Sequence, residues 1–138
     1  MRFFVDEQSS PALEIFLSYT FGRHVFRTFQ QEALAGTDDI ELFDILASRG
    51  FDVIITDDRQ QLKGDRAERD RLRSAPLHWV GYKRPGVAGP PGLAIAAGGL
   101  LSGFPAVLDA LAEATVPVAI TVRGPERLRT QLIKIETL

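Results

Sequence analysis

An unbroken β-branched run, Val53–Thr56, limits the possible folds of this chain more than any other segment. A strand with one face in water alternates apolar and polar residues, whereas a strand covered by helices on both faces does not. The run therefore predicts a strand in the middle layer of a sandwich. It ends at two acids, Asp57 and Asp58.

The segments around this run alternate between strand and helix patterns. Strand patterns cover residues 2–5, 24–29, 77–82 and 117–122, and helix patterns cover residues 11–21, 39–49, 65–73 and 104–114, with a Pro- and Gly-rich loop at 83–92. This order predicts an α/β fold, a three-layer α/β/α sandwich with a mostly parallel sheet. The 138 residues suit a single domain, 1–138, because two cores would each be too small.

The composition narrows the chemistry and the location. The chain has no cysteine, so a bound metal would need oxygen or imidazole ligands, which favours hard cations such as Mg²⁺ or Mn²⁺. The apolar run at the N-terminus is too short for a signal peptide, and glycines and Pro105 interrupt the later apolar stretch. We therefore expect a cytoplasmic protein that has no membrane partner.

Charge is segregated along the chain although the net charge is only −2. Residues 1–58 contain 4 Lys/Arg and 11 Asp/Glu, whereas residues 59–84 contain 8 Lys/Arg and 3 Asp/Glu. An acidic half followed by a basic segment suits a metal-dependent enzyme that acts on a phosphate polymer. Scattered surface charge remains the alternative interpretation.

Acids follow two predicted strands and open one predicted helix. Asp6 and Glu7 follow the first strand, the pair 57–58 follows the central strand, and Asp38 and Asp39 begin a helix. Ligands of parallel sheets bind beyond the carboxyl ends of the strands. Crowded carboxylates repel each other unless a cation neutralises them, so this pattern predicts a divalent metal site and hydrolysis of a phosphodiester.

Some of these acids have simpler interpretations. Asp38 is favoured as a helix cap, because Glu41 stands at capping-box spacing. Asp39 in the first turn would complement the helix dipole. Glu7 and Asp57 could be ordinary turn acids.

Three stretches of the chain resemble the PIN-like domains of VapC-type toxins. They are residues 1–7, which end in Asp6-Glu7, residues 36–39, and residues 49–59, which contain the Thr-x-Asp-Arg motif after the central strand. The resemblance implies a metal-dependent endoribonuclease, the toxin of a toxin-antitoxin system, in which Asp6, Asp39 and Asp58 bind Mg²⁺ or Mn²⁺. It also implies RNA as the substrate and a cognate antitoxin as a partner, and we add a homodimer as a further candidate assembly.

The chain departs from the pattern of these domains in places. Gln8 and Gln60 stand where such domains often have Asn and a second acid, and the spacing from Asp39 to Thr56 is about one residue longer than expected. Asp38 therefore stays open as the ligand, and an inactive PIN-like binding module stays open as the function. A receiver-type phospho-acceptor domain is the competing signalling hypothesis, with its acids at 6, 7 and 57.

Basic residues follow the central strand in the sequence. Arg66, Arg69 and Arg73 would share one side of the predicted helix at 65–73, and Lys63 precedes it. Such a stripe could bind an RNA backbone beside the metal. Arg66 and Asp70 are four residues apart and could instead pair as ordinary surface residues. His24 and His78 have no ligand-spaced partner, so no catalytic role is assigned to them.

Overall fold

The central sheet is a five-stranded, all-parallel layer. A computed structural model describes residues 1–57, 66–82 and 86–123 of the chain. Its strands are β1 (Arg2–Val5), β2 (Val25–Thr28), β3 (Val53–Thr56), β4 (His78–Tyr82) and β5 (Ala119–Val122), in the spatial order β2-β1-β3-β4-β5. The β3 run is buried along its whole length, as its lack of alternation predicts.

Helices cover both faces of this sheet. They are α1 (Ala12–Thr20), α2 (Phe29–Glu32), α3 (Asp39–Ser48), α4 (Arg66–Ser74) and α5 (Gly89–Glu113). One core joins α1 and α5 to the sheet around Phe3 and Phe104, and a second joins α3 and α4 to the opposite face around Phe4 and Phe43. The predicted three-layer α/β/α sandwich is confirmed.

The long helix α5 corrects one expectation. The predicted loop at 83–92 and helix at 104–114 are replaced, from Gly89 onward, by one continuous helix of 25 residues. Pro90 and Pro91 lie in its first turn, where the missing N–H groups need no partner. At Gly103 a side chain would lie 2.8 Å from Val122 of β5, so small residues permit close packing that outweighs their poor helix propensity.

By length and composition alone, α5 could also cross a membrane, with a mean hydropathy of 1.6. A buried core helix satisfies the same criteria. Eight of its residues are buried, and all but the two glycines belong to the core that joins α5 to the sheet and α1: Gly92, Ala96, Ala97, Gly99, Leu100, Phe104, Val107 and Leu111.

The short helix α2 is not anticipated by the apolar pattern. Thr28 and Gln31 form a capping box around it, and Ala33 ends it with a φ of 55°. The turn brings the chain from the end of β2 back towards the start of α3. The carboxyl ends of β1 and β3 and the beginning of α3 thereby share one edge of the sheet, which we call the acidic edge, with Asp6, Asp39 and Thr56 as its defining residues.

Candidate active site

Parallel pairing places Asp6 beside the end of β3. Val5 pairs with Ile55 in register, and the Asp6 amide nitrogen then donates to the Ile55 carbonyl oxygen at 2.9 Å. Only 5% of Asp6 is exposed to solvent. A buried carboxylate at a strand end is costly unless its oxygens are satisfied.

Two hydrogen bonds hold the Asp6 carboxylate. The hydroxyl of Thr56, which is fully buried, donates to Asp6 Oδ2 at 2.9 Å, and the backbone N–H of Glu7 donates to the same carboxylate. Burial nevertheless raises the pKa of Asp6 above its ordinary value of 3.8, and the charges of Asp39 and Glu7 raise it further. The two hydrogen bonds oppose this rise in pKa without cancelling it.

The structure assigns different positions to Asp38 and Asp39. Asp38 is the N-cap of α3, and its Oδ1 accepts from the Ile40 amide at 3.2 Å, so the predicted cap is confirmed. Asp39 is half-buried in the first turn of α3, and its charge acts on the pKa of Asp6. Of the two acids, Asp39 is therefore the one that is coupled to Asp6.

Glu7 fixes the loop that precedes α3. Its Oε2 accepts from the Gly36 amide at 2.9 Å, across 29 residues of sequence. Gly36 has a φ of 72°, a conformation that other residues adopt only with strain. This contact holds the start of α3 close to the end of β1.

A cavity of about 240 Å³ opens between the end of β1 and the start of α3. Four carboxylates contribute to its walls, together with two polar and two apolar side chains: Asp6, Glu7, Asp38 and Asp39, with Gln8, Thr37, Leu34 and Leu42. Such a cavity attracts cations and repels phosphate unless a cation is present.

The chemical type of the side-chain ligands around this cavity suits a hard cation. All of the acidic ligands are oxygens, and a cation beside Asp6 would offset the burial and the repulsion that raise its pKa. Within the described ranges, however, no three acidic or histidine side chains already stand at the spacing that holds a metal. Asp58, the third predicted ligand, lies outside the described residues, and the half-buried Asp57 directly follows β3.

The predicted RNA-binding residues lie on α4, except for Lys63, which is outside the described residues. Arg66 and Arg73 share one carboxylate, that of Asp70, at 3.7 Å and 3.3 Å. The pairing of Arg66 with Asp70 that the spacing allowed is thus present. Arg71 instead pairs with Asp44 of α3, which ties the two helices together.

Two residues at the acidic edge are not identified by the sequence reasoning as site residues. The Thr56 hydroxyl donates a hydrogen bond to the Asp6 carboxylate, and the Thr-x-Asp motif is the sequence feature that could have identified Thr56. Ser9 is 2% exposed, its amide donates to the Asp6 carbonyl oxygen at 2.9 Å, and its hydroxyl has no partner among the described residues. Nothing in the spacing of Ser9 distinguishes it from a capping serine.

Both histidines lie at the opposite, amino edge of the sheet. His24 precedes β2, and its Nδ1 lies 3.4 Å from the Met1 amino group. His78 begins β4, and its Nδ1 accepts from the Val118 amide at 3.2 Å. Burial lowers the pKa of each histidine below its ordinary value of 6.5.

The chain matches a known protein family. The family model described as a PIN like domain matches residues 1–83, a span that includes the acidic edge, α4 and β4. No curated protein and no solved structure matched the chain. The strand order alone also suits receiver-type domains, so the family match is what favours the nuclease fold over that alternative.

Proposed function

We infer a function from the premise that the chain belongs to the family of PIN-like domains, whose model matches residues 1–83 of its 138 residues. Domains of this family are generally nucleases. We propose that this chain is a metal-dependent endoribonuclease that hydrolyses RNA phosphodiester bonds. The observation that carries the proposal is the buried Asp6 carboxylate, whose pKa is raised by burial and by the nearby Asp39.

Asp6 and Asp39 would hold an Mg²⁺ or Mn²⁺ ion, and the resemblance supplies Asp58 as the third ligand. When bound, such an ion lowers the pKa of a coordinated water and so supplies the nucleophile that attacks phosphorus. Glu7, Asp38 and Asp57 are second-tier candidates.

The remaining residues of the acidic edge position these ligands. Thr56 and the Glu7 amide orient the Asp6 carboxylate through hydrogen bonds, so its oxygens stay aimed in one direction. Asp38 caps α3 and Glu7 holds Gly36, and together they fix the helix end that carries Asp39. Ligands held in this way need little reorganisation when substrate binds.

RNA would contact the basic residues that follow the metal site in the sequence. We propose that Lys63, Arg66, Arg69 and Arg73 neutralise backbone phosphates, which would offset the repulsion between RNA and the acidic cavity. The exposed guanidiniums of Arg66 and Arg73 support this, since their ion pairs with Asp70 are weak surface pairs that a phosphate can replace.

The resemblance further suggests the toxin of a toxin-antitoxin system, acting in the cytoplasm and restrained by a cognate antitoxin. An apolar face of α1 supports a protein partner, either an antitoxin or a second copy: Ile15, Phe16 and Tyr19 are 65%, 46% and 93% exposed.

Expression of the wild-type chain should arrest growth, whereas expression of Asp6→Asn should not. Growth arrest by both would disconnect any toxicity from cleavage.

The direct test combines metal titration with RNA cleavage. Calorimetry should show heat of Mn²⁺ binding to the wild-type protein and a much smaller heat with Asp6→Asn or Asp58→Asn. Cleavage of single-stranded RNA should require the added ion. A folded wild-type protein that gives neither heat nor cleavage would instead be an inactive PIN-like binding module, which the departure at Gln60 already suggests as the alternative.

A further inference from the structure

Helix α5 lacks charge on the side that faces away from the sheet as well as on the side that packs against it. Residues 85–108 contain no charged residue, and only 33% of the most apolar 18-residue stretch of α5 is buried. A surface helix ordinarily carries charged and polar residues on its outer side. The outer side of α5 instead carries small residues and a proline: Ala94, Gly98, Ser102, Pro105 and Ala106. All of them lie beyond residues 1–83, which match the family of PIN-like domains.

Gly98 is the residue of this outer side that the fold of a single chain does not explain. A Cβ at Gly92 would lie 1.8 Å from the carbonyl oxygen of Val87, and Gly103 fits against Val122. A Cβ at Gly98 would meet nothing within 4 Å in the described part of the chain. Glycine inside a helix is destabilising relative to alanine unless close packing requires it. Gly98 is therefore suited to the close approach of a second molecule.

Helix α1 lies beside α5 in the same layer and carries large apolar side chains on its outer side. The ring of Phe21, which follows α1, packs against Phe104 of α5 with 4.8 Å between ring centroids. Ile15 and Tyr19 each lie two residues from a buried leucine of α1, about 200° around the helix, so they point away from the sheet. We call this joint surface the outer helix face and define it by six residues: Ile15, Phe16, Tyr19, Ala94, Gly98 and Ser102.

The chemistry of the outer helix face favours a protein surface over a lipid surface. Helices that lie in a membrane interface insert large apolar side chains and place Lys and Arg on their polar side. The outer side chains of α5 are small, and Gly89–Glu113 contains neither Lys nor Arg. Small residues instead let the backbone of a second helix approach closely.

We propose that the outer helix face joins two copies of this chain in a twofold dimer, with α5 antiparallel to its copy and the axis at Gly98. The six defining side chains carry no charge, so the face meets its own copy without like-charge repulsion. The axis would pair Ala94 with Ser102 of the second copy. Asp109 and Val87 are equally far from Gly98 in the sequence, so the exposed Asp109 would lie beside the start of α5 in the second copy. The N-cap there, Ala88, makes no side-chain hydrogen bond, and a carboxylate is favourable at such a helix end.

The size of the outer helix face suits a dimer of modest affinity. In the antiparallel arrangement, α1 also faces α1 of the second copy, because the axis lies in the plane of the helix layer. Residues 89–107 of α5 would overlap over about 28 Å, and the exposed α1 side chains add to the contact. The total is on the order of 1,200 Å² over both copies, the lower limit for a stable specific interface. We therefore expect association in the micromolar range.

This inference does not rest on the proposed nuclease function. Helices that connect parallel strands run antiparallel to them, so an antiparallel α5 pair would set the two acidic edges at opposite ends of the dimer. Both edges would stay open to substrate. Dimerisation and cleavage are therefore expected to be independent.

Disulfide trapping tests the position of the axis, because the chain has no cysteine of its own. Oxidation of Gly98→Cys should give a covalent dimer, since a disulfide needs Cα atoms within about 7 Å and this residue would meet its copy. The matched control is Ala112→Cys, an exposed position on the same helix. Its two copies would lie about 42 Å apart and should not join. Equal trapping of both variants would contradict the antiparallel arrangement.

Sedimentation over a concentration series measures the association itself. The mass of the wild-type protein should rise from that of one chain towards that of two. Gly98→Glu sets two carboxylates against each other at the axis and should weaken association at least about tenfold. Ala112→Glu, which lies beyond the overlap, should associate as the wild type does. If Gly98→Glu fails to fold, Asp109→Arg should weaken association about threefold or more, and less so at high salt.

Three results would overturn the dimer. They are a wild-type protein that stays monomeric at every concentration, a folded Gly98→Glu variant that associates normally, and a monomer that sediments with lipid vesicles through this face. RNA cleavage per chain should be the same in wild type and Gly98→Glu. Dimerisation without cleavage would keep this inference and reject the nuclease, whereas cleavage by a protein that is always monomeric would keep the nuclease and reject the dimer.

Discussion

The acidic edge and helix α4 differ in how they hold charge. At the acidic edge, the Asp6 carboxylate is buried and is held by the hydroxyl of Thr56 and by the backbone amide of Glu7. On α4, the arginines are exposed and pair with surface carboxylates. Buried charge is expensive and geometrically fixed, whereas exposed charge is cheap, mobile and screened by salt. The first arrangement suits chemistry at one point, and the second suits a flexible polymer.

The largest expected effect is the loss of cleavage in Asp6→Asn. An amide keeps the shape of the side chain but loses the charge that would hold a cation. RNA cleavage should fall about 100-fold or more, the scale of removing a charge-stabilising group from an active site. Single-turnover cleavage with Mn²⁺ measures this effect, and alanine variants of the α4 arginines should remain far more active. Cleavage that persists in folded Asp6→Asn would remove the distinction between the two regions.

The same variant has a stability signature that depends on pH. The folded pKa of Asp6 is raised, so its favourable contribution is complete below the ordinary value of 3.8 and is lost as pH rises through the folded pKa. Without metal, the wild-type protein should therefore lose stability over this interval, and Asp6→Asn should not. At neutral pH the variant should melt at an equal or higher temperature. Thermal unfolding at several pH values in a chelator measures the difference.

The next effect separates the two acids at the start of α3. Asp39→Asn should reduce cleavage at least about tenfold, because losing a metal ligand costs at least as much as losing an outer-shell partner of one, with little change in stability. Asp38→Ala should instead lower the free energy of unfolding by about 1 kcal/mol, because a helix cap is lost, while cleavage per folded molecule stays close to wild type. The reverse pattern would make Asp38 the ligand, as the spacing to Thr56 allows.

The sequence predicts the acidic edge better than its internal contacts. Strand ends and the Asp38 cap follow from local patterns, and they place Asp6 and Asp39 on one edge. The hydrogen bond from Thr56 to Asp6 joins residues 50 positions apart and depends on the register between β1 and β3. That register is visible only once the strands are paired in the folded sheet. The contact between Thr56 and Asp6 therefore could not be predicted from the spacing of residues in the sequence.

The position of Trp79 and the continuity of α5 escaped prediction for a related reason. The ring of Trp79 occupies the space that a Cβ at Gly81 would fill, and the absence of a side chain at Gly103 lets α5 approach Val122 closely. In both cases a glycine that local propensity marks as a break serves tertiary packing instead. Asp58 lies outside the described residues, so its place beside Asp6 stays a prediction.

A smaller effect should follow from Thr56→Val, which removes the hydroxyl that donates to Asp6. A hydrogen bond to a charged group contributes about 1.5–3 kcal/mol, so stability should fall within that range. The donor lowers the pKa of Asp6, so its loss should raise that pKa further. The acid limb of the pH-rate profile should then move to higher pH. Thr56→Ser keeps the hydroxyl and should leave the limb in place, and an equal movement in both variants would contradict the assignment.

The smallest expected effect is the salt dependence of a single arginine variant, and it sharpens the contrast between the two regions. Each phosphate contact on single-stranded RNA adds about 0.7 to the slope of log affinity against log salt. Arg69→Ala should reduce the slope by about that amount, and its affinity should approach that of wild type at high salt. The control Arg23→Ala, which removes an exposed arginine before β2, should leave the slope unchanged. The defect of Asp6→Asn in the chemical step should be the same at low and high salt, because a buried group is little screened. An unchanged slope in Arg69→Ala would mean that α4 is ordinary protein surface that does not bind RNA phosphates. A cleavage defect in Asp6→Asn that vanished at high salt would mean that Asp6 acts on RNA at long range rather than at the reacting bond.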